Sequence, residues 1–190
     1  MNKKYLAKNE KLLCFIGPSG AGKSRVVNKL IDDNIIDLTP SWTTRPKRSH
    51  EASTKDHIFV STEEFNFQKS EGIFLEVVKL FDMPYLYGLP KVAKNSSAVP
   101  TVMLRSMVIP LLSKYYIYPV IYHIESTRNL TLKRLNNRHK TEEEVNKRMA
   151  EYDQEVAIGR KIAQRIFIND DEFDKLYEQI KKSIRQDFYN

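Results

Sequence analysis

One cysteine, Cys14, is all the thiol this 190-residue chain carries, so an internal disulfide framework is excluded. Cys14 sits inside an apolar run, where a buried core thiol in a reducing compartment is expected. No apolar stretch reaches the roughly 18–20 residues that a membrane helix needs. The opening "MNKKYLAKNEK" lacks the hydrophobic segment of a secretory signal, and the expectation is a cytoplasmic protein with no membrane partner. Internal repeats and low-complexity segments are missing. So is any long Lys/Arg block or nucleic-acid-binding motif, which argues against nucleic acid as the partner. Oligomeric state is not readable from such features.

What is present fits one soluble domain. Hydrophobic residues make up 41% of the chain and charged residues 29%, ordinary proportions for a globular protein long enough to bury a core. The formal net charge is +7, which calls for an anionic partner, either a polyanion or a phosphorylated small molecule. "LLCFI" from Leu12 is a short continuous apolar run of the kind found in buried parallel strands. Further strands are expected at His57–Ser61, from Ile73, from Thr101, at the end of "YYIYPVIYHI", and at Arg165–Ile168. Helices are expected from Ser24 to Ile31, after the Ser61/Glu64 capping box, over 129–138, and after the Thr141/Glu144 capping box. That last helix should be long, carrying Val145, Met149, Tyr152 and Val156, and a final helix carries Phe173, Leu176, Tyr177, Ile180 and Ile184 on one face. Alternating strands and helices predict an α/β fold around a mostly parallel central sheet.

"GPSGAGKS", Gly17 to Ser24, satisfies G-x-x-x-x-G-K-[ST] between an expected strand and an expected helix. Glycines let such a backbone curl and turn its N–H groups inward around phosphates, and the helix N-terminus adds partial positive charge. Lys23 is suited to reach the terminal phosphates of ATP and Ser24 to ligate Mg²⁺, making this a P-loop. "SWTTRPKR", Ser41 to Arg48, gathers three cations, three hydroxyls, a proline and the only tryptophan. By charge pattern alone it is a solvated basic turn, a nucleic-acid contact or a seat for one phosphate. Guanidinium groups bind phosphate in bidentate fashion, so Arg45 and Arg48 suit the last of these. Trp42 is either a hydrophobic anchor or a ligand contact.

The order of these motifs, with "DHIFVSTEEF", "EGIFLE", "YLYGLP", "LKRLNNRHKTEEEVNKRM" and "IFINDDEFDKLYEQI", resembles the guanylate kinase family over nearly the whole chain. The resemblance implies a kinase that moves the γ-phosphoryl group of ATP, with Mg²⁺, onto a nucleoside monophosphate, by default GMP or dGMP. It implies a P-loop kinase core (11–40, 91–133 and 149–190), a small acceptor-binding region (41–90) and a lid (134–148). ATP would be held by Gly17, Ser19, Gly20, Ala21, Gly22, Lys23 and Ser24, with Asn169 at the adenine. Ser41, Arg45, Arg48, His57 and Tyr87 would hold the acceptor phosphate, and Glu76 would accept hydrogen bonds from guanine, or else be a structural carboxylate. Lys23, Arg45, Arg138 and Arg148 would be catalytic. Arg134, Lys140 and Lys147 would assist, or simply pair with Glu142–Glu144.

Three departures bear on the acceptor. His57 stands where the family has tyrosine, and Leu89 where it has a guanine-reading Ser or Thr. Arg105 and Ser106 replace carboxylates at a strand end. The segment from Glu76 to Tyr87 is also about two residues longer than is usual. Ribose 1,5-bisphosphate kinases, which look like guanylate kinases with the base pocket given up, make a sugar phosphate or modified nucleotide the alternative acceptor. A non-catalytic guanylate-kinase-like interaction module is the further alternative.

Overall fold

A computed structural model describes residues 5–7, 10–47, 55–79, 84–94, 97–115, 118–137, 141–170 and 172–189. Arg48 and Arg138, both expected in the site, and Lys140 lie outside them. In the described chain, β1 (Lys11–Ile16), β2 (Ile36–Leu38), β7 (Val99–Met103), β8 (Tyr118–Glu125) and β9 (Arg165–Ile168) form one sheet in the order β2-β7-β1-β8-β9. Every pairing in it is parallel. A parallel sheet must be covered on both faces, and the alternation of β1 does this directly. Leu13 and Phe15 face the cluster under α1 (Lys23–Asp32) and α7 (Phe173–Phe188), with Val26, Leu30, Leu176, Ile180 and Ile184. Leu12, Cys14 and Ile16 face the opposite cluster with Val102, Leu112 and Ile121. Cys14 is fully buried and reduced, and burial pushes its thiol well above the usual range.

A second, four-stranded sheet runs β4-β3-β6-β5, built from β3 (Ser41–Thr43), β4 (His57–Phe59), β5 (Phe74–Lys79) and β6 (Leu86–Pro90). The strands are short and mixed: β3 and β4 are parallel, whereas β6 is antiparallel to both β3 and β5. α2 (Thr62–Ser70) packs Phe65 into this sheet, stacked on Phe74 at 4.7 Å between centroids. Trp42 meets the edge of Phe74 at 5.9 Å, so it is a hydrophobic anchor here. Gly88 allows that packing, because a Cβ there would lie 2.7 Å from the Phe74 ring.

Both capping boxes start helices. Ser61 Oγ accepts from Glu64 N at 3.2 Å, and Thr141 Oγ accepts from Glu144 N at 3.3 Å. The long helix expected after Thr141 is instead two, α5 (Glu142–Ala150) and α6 (Tyr152–Ile162), separated at Glu151. Their apolar residues share one helical spacing, which is why the sequence reads as a single helix. Glu151, between them, is engaged by Arg105 from just past β7. α4 (Arg128–Asn136) and a short α3 (Ile109–Leu112) complete the helices. Among the described residues no helix is long and apolar enough to cross a membrane.

Candidate active site

The Gly17–Ser24 loop leaves the C-terminal end of β1 and enters α1. Close approach requires two of its glycines. A Cβ on Gly17 would lie 2.0 Å from the Ile124 carbonyl oxygen, and one on Gly22 would lie 2.1 Å from Asn169 Nδ2. Both also have positive φ, 135° and 91°. Gly22 is the N-cap of α1, no side chain caps it, and no acid sits in the first turn. The positive end of the helix dipole is therefore left to an external anion. Lys23 Nζ donates to the carbonyls of Gly17 (2.7 Å) and Pro18 (2.9 Å), folding the ammonium back over the loop. Asn169 Nδ2 donates to Ala21 O at 2.7 Å, so its amide braces the loop, while Arg134 donates to Asn169 O at 3.1 Å. Arg148 reaches from α5 to Ser19 Oγ at 3.0 Å.

The second sheet carries the other group of expected residues. Register sets Ser41 opposite His57 and Thr43 opposite Tyr87. Ser41 Oγ and His57 Nδ1 are 2.7 Å apart, and the His57 and Tyr87 rings are 6.3 Å apart. Arg45 is buried to 8% exposure, lies over the Phe59 ring at 5.1 Å, and donates to Pro46 O. Through Phe59 and the His57 ring, these contacts link Arg45, past the end of β3, and Tyr87 to Ser41 and His57 at the other end, where β3 and β4 begin. Ser24 Oγ donates to Asp56 Oδ2 at 2.5 Å, bringing that end up to the phosphate loop.

Glu76 lies elsewhere on β5. It accepts from Lys114 Nζ at 3.1 Å and Tyr115 Oη at 3.3 Å, partners that sequence reasoning does not provide. Leu89 is buried in the core against Leu12 and Val92. Arg105, at the end of β7, binds Glu151 and lies 3.1 Å from Glu155, while Ser106 N donates to Glu155 at 3.3 Å.

A second polar layer lies behind the loop. His123 and Glu125 alternate with Tyr122 and Ile124 on β8 and so share the face turned to α6. Histidine Nε2 is 2.9 Å from Glu125 Oε2, and Arg160 binds the same carboxylate through Nε at 3.1 and 3.0 Å. Burial raises the pKa of Glu125, but Arg160 and His123 outweigh it and hold the acid low, so Nε2 must carry the proton it shares. Burial keeps His123 neutral, and Gly159 makes room for its ring, since a Cβ there would lie 2.2 Å from Nδ1. The period-two placement of His123 and Glu125 in "YHIE" was the available signal for this layer. Asp56 is the other residue missed, and its signal was a carboxylate beside His57 in "DHIF".

The guanylate kinase family pattern matches residues 9–187. A guanylate kinase of Caldanaerobacter subterraneus subsp. tengcongensis is 33% identical over 183 residues, 91% of this chain and 85% of that protein. One of Wolbachia pipientis wMel is 29% identical over 185 residues, 93% and 90% of the respective chains. With that of Thermotoga maritima the match is 40% identical but shorter, 79 residues and 37% of the relative. The crystal structure of guanylate kinase from Anaplasma phagocytophilum shares the fold at a TM-score of 0.64 and 21% identity, covering 99% of this chain and 89% of that one. A phosphate loop of this form, a parallel sheet that carries it and full-length relatives agree: the chain belongs to the guanylate kinase family of nucleoside monophosphate kinases.

Proposed function

We propose that this protein transfers the γ-phosphoryl group of ATP, with Mg²⁺, to the phosphate of a nucleoside monophosphate, with GMP or dGMP as the default acceptor. The observation that carries this reading is the contact between Ser24 and Asp56. It brings a loop suited to a triphosphate up to a sheet end suited to a monoester phosphate. In this reading the second sheet, within 41–90, is the acceptor-binding region and 134–148 is the lid. Arg45 and Arg48 neutralise the acceptor's dianion, Ser41, His57 and Tyr87 orient it, and Glu76 reads the base. Lys23, Arg138 and Arg148 stabilise charge on the migrating group, where positioning and charge cancellation do most of the catalysis. An acceptor phosphate oxygen is already a nucleophile, so no general base is needed.

The donor set fits the metal. Among the described residues no cluster of three His, Cys, Asp or Glu side chains could hold an ion unaided. Mg²⁺ needs no such cage, since it binds through one or two protein oxygens together with substrate phosphates. Ser24 Oγ would hold it. When bound, the ion neutralises charge on the β- and γ-phosphates.

One observation favours a second reading. Leu89 is spent on the core and Arg105 on Glu151 and Glu155, so neither offers guanine a hydrogen-bond acceptor. A site that loses base-reading groups is relaxed or redirected, and a modified nucleotide or ribose 1,5-bisphosphate would suit it. A coupled ADP-release assay over the nucleoside monophosphates and ribose 1,5-bisphosphate tests both. GMP as best substrate supports the first reading, and GMP slower than the sugar bisphosphate supports the second. Turnover with none of them overturns the kinase reading and leaves the interaction module.

A further inference from the structure

We infer that Asp56 supplies the carboxylate that holds the metal, contributed by the second sheet in place of the acids missing from the end of β7. The inference rests on the kinase reading above. In phosphate-loop enzymes a hydroxyl of the loop and an acidic residue from a core strand together hold the ion. Here the adjoining strand end offers Arg105 and Ser106, a cation and a hydroxyl, and both are packed against α6. Asp56 fills the vacated role from another direction. It is 8% exposed, and Oδ2 accepts the Ser24 hydroxyl at 2.5 Å, which leaves the lone pairs of Ser24 Oγ available for a cation. Oδ1 is buried and has no hydrogen-bond partner among the described residues. An ionised carboxylate oxygen without a partner is costly to bury, and a cation or its bound water would offset that cost.

The neighbours of Asp56 keep it in place. Its carbonyl accepts from Ser41 N at 3.2 Å, and the preceding Lys55 is tied to Asp32 at the end of α1 at 2.9 Å. Ser41 in turn contacts His57. The metal carboxylate is therefore continuous with the acceptor-phosphate seat, so a shift of the second sheet on acceptor binding changes the metal site as well.

The test uses the full chain with ADP and Mn²⁺, a paramagnetic stand-in for Mg²⁺. Electron paramagnetic resonance titration should show Mn²⁺ binding to the protein–ADP complex weakened about 10–100-fold by Asp56→Asn. ADP affinity in EDTA should change less than about twofold, since the asparagine amide oxygen can still accept the Ser24 hydroxyl. Mn²⁺ affinity within twofold of the unsubstituted protein overturns the inference. A second measurement needs no variant. Fe²⁺ loaded with ADP, then ascorbate and peroxide, should cleave the backbone near both Ser24 and Asp56. Cleavage near Ser24 alone overturns the inference while leaving the kinase reading intact. Failure of the unsubstituted protein to bind ADP at all overturns both.

Discussion

Lys23 bonds two carbonyls of its own loop, so in the proposed reading triphosphate binding would exchange those bonds for phosphate oxygens. A charge used at the transition state is worth more than one used only in binding. Lys23→Met should therefore lower kcat about 10²–10³-fold in the ADP-release assay, with the thermal midpoint nearly unchanged. Glu76 tests the acceptor. If it reads guanine, Glu76→Gln removes a charged acceptor worth about 1.5–3 kcal/mol, and kcat/KM for GMP should fall roughly 10–100-fold. Turnover of a sugar phosphate should be indifferent to the same change. At this scale the phosphate loop was fully legible in sequence, because its backbone geometry demands glycine and its chemistry demands Lys-Ser at fixed spacing. The partners of Glu76 and the Ser24–Asp56 contact were not, since they join side chains 38 or 39 and 32 positions apart along the chain.

Helices with good caps were the most legible elements. Ser61 and Thr141 both accept the hydrogen bonds that their spacing implies. Thr141→Ala should cost about 1 kcal/mol and lower the thermal midpoint by roughly 2–4 °C by calorimetry. The long core strands were legible from their continuous apolar runs. β2 and β3 were not, being three residues each with too few positions to establish a period. The break between α5 and α6 was illegible for a different reason. Nothing in the local sequence interrupts the helical pattern, and the cation that engages Glu151 lies 46 residues earlier, just past β7.

Across the whole molecule, one network ties the last helix to the sheet. Asp187 accepts from Arg165 at 2.7 Å and from the buried Tyr122 hydroxyl at 2.7 Å. Arg165 and then Tyr122 hold the Asp187 carboxyl below its ordinary value of 3.8. Between its folded value and 3.8, the unfolded chain binds more protons, so stability rises with pH there. Urea midpoints should fall as pH drops below about 4, less steeply in Asp187→Asn. His123 adds a second slope at higher pH. Burial holds its folded pKa below 6.5, so unfolding takes up a proton as the pH falls past that value, and stability declines.

Arg105 also acts as a clasp between the chain past β7 and α6. With Glu151 and Glu155 gathered around it, an acid placed at this position would complete a cluster of three carboxylates. Arg105→Asp alone should cost on the order of 3 kcal/mol, while pairing it with Glu155→Arg should recover part of the loss in a denaturation series. The ion triad thus clasps the chain just past β7 to the start of α6, so a substitution at any one of its three members is felt by the other two.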